Sequence, residues 1–385
     1  MNATFSRRRV LQALAAVPSI ALLGPGCSGS DSSVDVRFYG TGTLDIGSGG
    51  WANLLRDESA RLIFKDNGND AGPVIAQMTA GTAANDYDIG GLLGGAEAVL
   101  ARNGAILPWD LSKIPNWATA WPWAKSIAHT RWRGQQFGIP LVVNADSMIY
   151  LPERIRTVSG YESGIVDSYA AVFDPRLRGR TAMEDTWVNS AIFTAIYLKQ
   201  SGQLAIGEPG NLTESELRGV MEFLIDRKRS GQFRTLWNGW EQGVEVLRSG
   251  EVWVMTGWEP IVKALTDQGI NARYAVPKEG YEGWSIDLLL HRGAERRGLL
   301  DTCHDVANWL HAGRYGAEMV TSRGYAVPNE STIDFARRSN MPNETSIAET
   351  LAQIQRKLSG QIFWQNVRPD NYRLYEEWWS RFRSA

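Results

Sequence analysis

The feature that most constrains this chain is a repeated ending. Strand-length apolar runs stop in glycines, or in a Trp beside an acid, and helical patterns follow. Val34-Asp35-Val36-Arg37-Phe38-Tyr39 alternates with the period of a strand and runs into Gly40-Thr41-Gly42-Thr43-Leu44-Asp45. Asp86-Tyr87-Asp88-Ile89 enters the glycines of 90–95. Thr181-Ala182-Met183 leads to Glu184-Asp185-Thr186-Trp187-Val188-Asn189, and Glu251-Val252-Trp253-Val254-Met255 to Thr256-Gly257-Trp258-Glu259-Pro260. Strands alternating with helices define an α/β protein. Ligands of such sheets bind at the carboxyl ends of the strands. These endings occur in both halves of the chain, so two lobes facing across a cleft would bring them together. The chain is expected to cross between lobes near Pro140 and Pro277.

The helical patterns are expected around Trp51 to Lys65, Val74 to Ala80, Ala96 to Arg102, Ala191 to Leu198 and Val306 to Leu310. Thr213 and Glu216 form a capping box ahead of the buried spacing Leu217, Val220, Met221, Leu224 and Ile225. Residues 115–133 are rich in Trp and poor in period, which reads as a packed loop. Tyr375, Trp378, Trp379 and Phe382 share one helical face that suits docking on a core.

A length of 385 residues exceeds one ordinary core and agrees with two lobes. The 40 basic residues against 42 acidic ones leave no clustered excess that would mark a nucleic-acid footprint. Sixteen Trp are many for filler, and Trp is often used where one side meets a ligand. An enzyme is disfavoured. His129, His291, His304 and His311 lack metal-site spacing, no G-x-S-x-G elbow occurs, and Gly40 to Asp45 is not the dinucleotide fingerprint. No cofactor is expected.

Residues 1–33 read as an export signal and tether. Arg7-Arg8-Arg9 before an apolar run from Ala13 to Leu23 matches the twin-arginine pattern, and that run is too short to span a bilayer. Cys27 after small residues suits lipidation, with Ser28 to Ser33 as a polar tether. The expected location is therefore outside the cytoplasmic membrane, held only by an N-terminal lipid. With Cys27 so used, Cys303 has no disulfide partner. The mature chain is mildly acidic.

The richest stretch runs from Ala275 to His291. Trp284 and Asp287 precede the apolar run Leu288 to Leu290. An aromatic face and a carboxylate at the mouth of a strand suit an organic cation. The plain alternative is Trp284 as core and Asp287 as a turn cap. Candidate ligand residues at the strand ends are Thr41, Asp45, Gly94, Asp185, Trp187, Trp258, Glu259, Trp284 and Asp287. An acid-lined pocket disfavours an anion. The rival to a cation is a neutral polar solute, a sugar or polyol, stacked on Trp.

The chain resembles the extracellular solute-binding proteins of ABC importers, in particular the spermidine/putrescine-binding family. The resemblance rests on Tyr39-Gly40-Thr41-Gly42, Asp86 to Ile89, Phe137-Gly138-Ile139-Pro140, Leu177 to Arg180, Ser249 to Gly257, Pro277 to Asp287 and Gly324 to Asn329. It implies a type II two-lobe fold with a hinge and an interlobe cleft. Lobe 1 is expected over 34–141 and 276–335, lobe 2 over 142–275 and 336–385. It also implies that a monomer delivers a polyamine-like cation to a membrane permease. The family's polyamine-holding Trp and carboxylate fall on Trp284 and Asp287. Its acidic pair falls on Asp185 or, with a two-residue shift, on Asn189. Its contacts after the first strand fall on Thr41 and Gly42, those on the next loop on Leu93 and Gly95, and its strand-end Trp on Thr256.

Overall fold

The structure is a computed structural model, and it describes residues 34–46, 60–68 and 70–385. The export signal with Cys27, the glycines of 47–50 and residues 51–59 lie outside the described residues. The strands are β1 (Val34–Gly40), β2 (Ala60–Asp66), β3 (Ile89–Leu93), β4 (Ile106–Leu107), β5 (Arg131–Trp132), β6 (Gln135–Gln136), β7 (Gly138–Tyr150), β8 (Thr181–Glu184), β9 (Phe233–Trp237), β10 (Val254–Gly257), β11 (Arg273–Tyr274), β12 (Tyr281–His291) and β13 (Ile362–Trp364). One sheet follows the order β2-β1-β3-β12-β7, the next β7-β10-β8-β9, and β7 is common to both. β4 and β13 flank β12, β11 flanks β7, and β5 and β6 form a separate hairpin.

Two lobes result. Residues Gly138 to Asp146 of β7 pair antiparallel with β12, and Ser147 to Tyr150 pair with β10. The passage between lobes thus falls between Asp146 and Ser147. Each sheet is covered on both faces, as mixed sheets buried on both sides must be. The period of two sorts β1, whose Val36 and Phe38 join one core while Tyr39 joins the other. It sorts β7 likewise in the second lobe, where Met148 and Tyr150 face one core and Ile149 faces the other.

Several expectations change. Residues 60–66, expected as helix, form β2 parallel to β1, with Ala60 and Leu62 buried between more exposed neighbours. Alternation with period two outweighs helix propensity there. Gly138–Tyr150, which includes Pro140 near the expected crossing, is one thirteen-residue strand buried throughout. Trp284 and Asp287, expected ahead of a strand, lie inside β12, which is buried along its whole length. The helix Glu344–Leu358 packs Ile347, Leu351, Ile354 and Leu358 into the first lobe, whereas the sequence assigned it to the second. The terminal helix Tyr372–Ser384 does join the second lobe, through Tyr375, Trp379 and Phe382. The capping box of Thr213 and Glu216 is formed. The segment 115–133 is a series of short 3-10 turns. Among the described residues no helix is long and apolar enough to cross a membrane.

Candidate ligand site between the lobes

The site is built on two long strands, β7, which is common to both sheets, and its first-lobe neighbour β12. β12 and β7 place Glu282 opposite Asp146 and Trp284 opposite Asn144, all four on one face of the pair. Two acids therefore face each other directly across an antiparallel ladder. They are buried, Glu282 at 0% exposure and Asp146 at 4%. Like charges in this arrangement destabilise a sheet. A third acid arrives from the second lobe: Glu184, the last residue of β8, at 8% exposure.

Hydrogen bonds tie these acids across the lobes. Asn189, in the first turn of the helix Trp187–Gln200, donates from Nδ2 to Glu184 Oε2. Gln365, just past β13, donates to Asn189 Oδ1 and, at 3.3 Å, to Glu282 Oε1. Several buried polar atoms here have no protein partner: Glu282 Oε2, Gln365 Oε1, Asn144 Nδ2 and Thr256 Oγ1. Aromatic walls complete the site. Trp284 meets Tyr325 edge to face at 5.0 Å, and Trp258 meets Trp237 in the same way at 5.1 Å. The Tyr274 hydroxyl donates to the carbonyls of Ala145 and Gly257 at 3.2 Å each, pinning the crossing.

Burial dominates the electrostatics. It pushes the Asp146 carboxyl up to about 7, partly offset by the Trp284 indole and the Lys357 charge. Burial pushes Glu184 up to about 8, against hydrogen bonding from Asn189. Glu282 is held well above the usual carboxylate range by burial and then by the charges of Asp146 and Glu184. Lys357 brings a cation whose charge acts on Asp146. Its ammonium pairs with Glu259 and lies 4.7 Å from the Tyr274 ring centre.

The residues singled out from sequence separate into groups. Asn189, Thr256, Trp258 and Trp284 take part in the interlobe cluster. Glu259 lies at its margin, bonded to Gln353 and Lys357. Asp185 points the other way: its Oδ1 accepts from Trp379 at 3.1 Å and Arg383 at 2.7 Å. Trp187 packs on Tyr375 at 5.0 Å. Asp287 is fully buried on the opposite phase of β12 from Trp284 and bonds His129. Leu93 and Gly94 close β3 beside it, and Gly94 N–H donates to the Ser285 carbonyl. Thr41 caps the short 3-10 turn Gly42–Leu44, Gly42 N–H donates to Asp66, and Asp45 follows that turn exposed to solvent.

Sequence reasoning missed Asp146, Glu282, Gln365 and Asn144, and chose Asp185 over its neighbour Glu184. The signal for Glu184 was phase: within Thr181–Glu184 the following residue must face the other way. The signal for Glu282 was its position two residues before Trp284, which shares a strand face with it.

Two lobes, an 11-stranded assembly joined through the shared strand β7 and an acid-lined junction define a solute-binding architecture. A model of the bacterial extracellular solute-binding proteins matches residues 68–328, and the chain belongs to that family. Among solved structures, a putative spermidine/putrescine ABC transporter from Listeria monocytogenes has 15% identity and a TM-score of 0.69, covering 91% of this chain and 98% of that one. The spermidine/putrescine substrate-binding protein of Streptococcus pneumoniae has 12% identity and a TM-score of 0.68, covering 91% and 99%. The glucopine-bound protein MotA of A. tumefaciens B6 has 16% identity and a TM-score of 0.65, covering 91% and 100%. At these identities the likeness is one of fold.

Proposed function

We propose that this protein captures a small organic cation of the polyamine class outside the cytoplasmic membrane and delivers it to an ABC-type permease. The observation that carries the reading is the opposed pair of Glu282 and Asp146 with Glu184 beside it. A fold that buries three carboxyls together loses stability unless something answers them. An ammonium group answers them by charge and by hydrogen bonds to the free Glu282 Oε2, while Trp284, Trp258 and Tyr325 are the rings whose faces would attract it. Solved relatives described as spermidine/putrescine transporters support the class. A ligand that bridges Glu282 and Glu184 favours the closed arrangement of the lobes and shifts the population toward it. Export by the twin-arginine route and a lipid on Cys27 belong to the same proposal.

A second reading follows from Lys357. A buried ammonium at the edge of the cluster could pair with a ligand carboxylate, and a solved structure of the same fold is described as a GABA receptor, GABA being an amino acid. Calorimetry separates the readings. Spermidine or putrescine should bind, and Glu282→Gln should weaken binding tenfold to a hundredfold, the range for a charged hydrogen bond of about 1.5–3 kcal/mol. Affinity should fall as salt rises. Binding of an amino acid but of no diamine would favour the second reading, and salt-independent binding of a sugar or polyol would overturn both.

A further inference from the structure

The opposite phase of β12 carries a separate polar cluster. Asp287 stands between Leu92 of β3 and Pro140 of β7, fully buried. Its Oδ2 lies 3.0 Å from His129 Nε2, which is also 3.2 Å from Ser285 Oγ. Glu97 opens the helix Glu97–Arg102 and is buried at 2% exposure, with Oε2 accepting the Gly95 N–H at 2.8 Å. One donor atom from each of Glu97, His129 and Asp287 lies within 4.8 Å of the others. These residues are 32 and 158 positions apart along the chain, so spacing in the sequence could not pair them.

Three observations point beyond a structural network. Asp287 Oδ1 is buried and has no partner. Among the described residues the one ion pair of either acid is with His129. Bare backbone walls the cluster: a Cβ on Gly94 would stand 2.1 Å from His129 Nε2 and 2.8 Å from Asp287 Oδ2, and one on Gly138 would stand 2.9 Å from Glu97 Oε1.

We propose that Glu97, His129 and Asp287 bind one divalent transition-metal ion. One imidazole and two carboxylates are the donor set of zinc and its neighbours in the first row, with bonds of about 2.0–2.2 Å. The 3.0 Å between the His129 and Asp287 donors is close to the edge of a polyhedron with bonds of that length. A proton shared between the Glu97 and Asp287 carboxyls, which lie within hydrogen-bond reach of each other, would answer one negative charge; a divalent ion answers both. The Gly95 N–H on Glu97 and Ser285 Oγ beside His129 are the outer contacts that orient such ligands. The ion would tie the Gly94–Gly95 turn to β12 at positions adjoining Trp284. This site is independent of the cation proposed for the other face.

The test uses the full chain, stripped with chelator and dialysed against Zn²⁺. Elemental analysis should give one zinc per chain, and the melting midpoint should rise on metal addition. Glu97→Gln should lower zinc affinity at least tenfold with diamine binding retained. His129→Gln, at the partly exposed rim, provides the same comparison if Glu97→Gln does not fold. Less than stoichiometric zinc on folded parent protein, or unchanged affinity in the folded variants, would overturn the site and leave a shared-proton pair.

Discussion

The side-chain amide of Gln365 donates to Asn189 Oδ1 across the junction of the two lobes. The same nitrogen reaches Glu282 at 3.3 Å, and Asn189 in turn holds Glu184. One amide therefore connects the acid of the first lobe to the acid of the second. Gln365→Ala should leave Asn189 and Glu282 short of a donor, at a cost of about 1–3 kcal/mol. Small-angle scattering should show a larger radius of gyration than the parent without ligand. An unchanged radius and melting midpoint would show that the amide does not join the lobes.

Glu282→Gln removes one member of the opposed acid pair while keeping its shape. Without ligand it should raise stability by about 1–2 kcal/mol at pH 8, because repulsion and the burial of charge are relieved together. The same change should weaken diamine binding at least tenfold. Chemical denaturation and calorimetry on one preparation measure both. Lower stability together with unaltered binding would contradict the role given to Glu282.

The raised carboxyls fix a direction with pH. Folded Asp146 and Glu184 hold protons to about pH 7 and 8, whereas the unfolded chain releases them near pH 4. Their contribution to stability is fully present below pH 4 and is lost as pH rises to about 8. Melting midpoints between pH 6.5 and 8.5 should decline without ligand, and Glu184→Gln should flatten that decline. A bound diamine favours the ionised acids, so its stabilising shift should grow over the same interval. A ligand shift that shrinks as pH rises would count against cation binding.

His291 and His311 act in the opposite sense. Both rings are buried with neither nitrogen bonded, and burial lowers each to about 3. The unfolded chain protonates them near pH 6.5, so stability is lost as pH falls from there toward 3. His311→Asn should reduce the loss between pH 6.5 and 4.5 relative to its own neutral value, as followed by urea denaturation. An identical slope in parent and variant would contradict this.

The N-terminal reading has its own test. Changing Arg7 and Arg8 to Lys should leave precursor in the cytoplasm, and Cys27→Ala should release protein from the membrane fraction. Fractionation that shows neither effect would remove both the twin-arginine and the lipid assignments.

The class of fold was legible because it is written in local periods: the alternation of Val34 to Tyr39, the capping box of Thr213 and Glu216, and the buried face of the helix they open. The candidate site was legible in part. Thr256 and Trp258 stand at the end of β10, where an α/β sheet turns toward a cleft, whereas Trp284 lies inside β12 and Asn189 in the first turn of a helix. Tertiary structure alone decided which acids share the site. Asp146 meets Glu282 only through the register of β7 against β12, and a shift of one residue would turn either away. Asp185 and Glu184 are neighbours in sequence, yet the pleat sends one to Arg383 and the other to Asn189. Glu97, His129 and Asp287 converge because three separate elements pack on one face of a sheet. Local sequence carries period and propensity, but register and packing between distant segments arise only when the chain closes on itself.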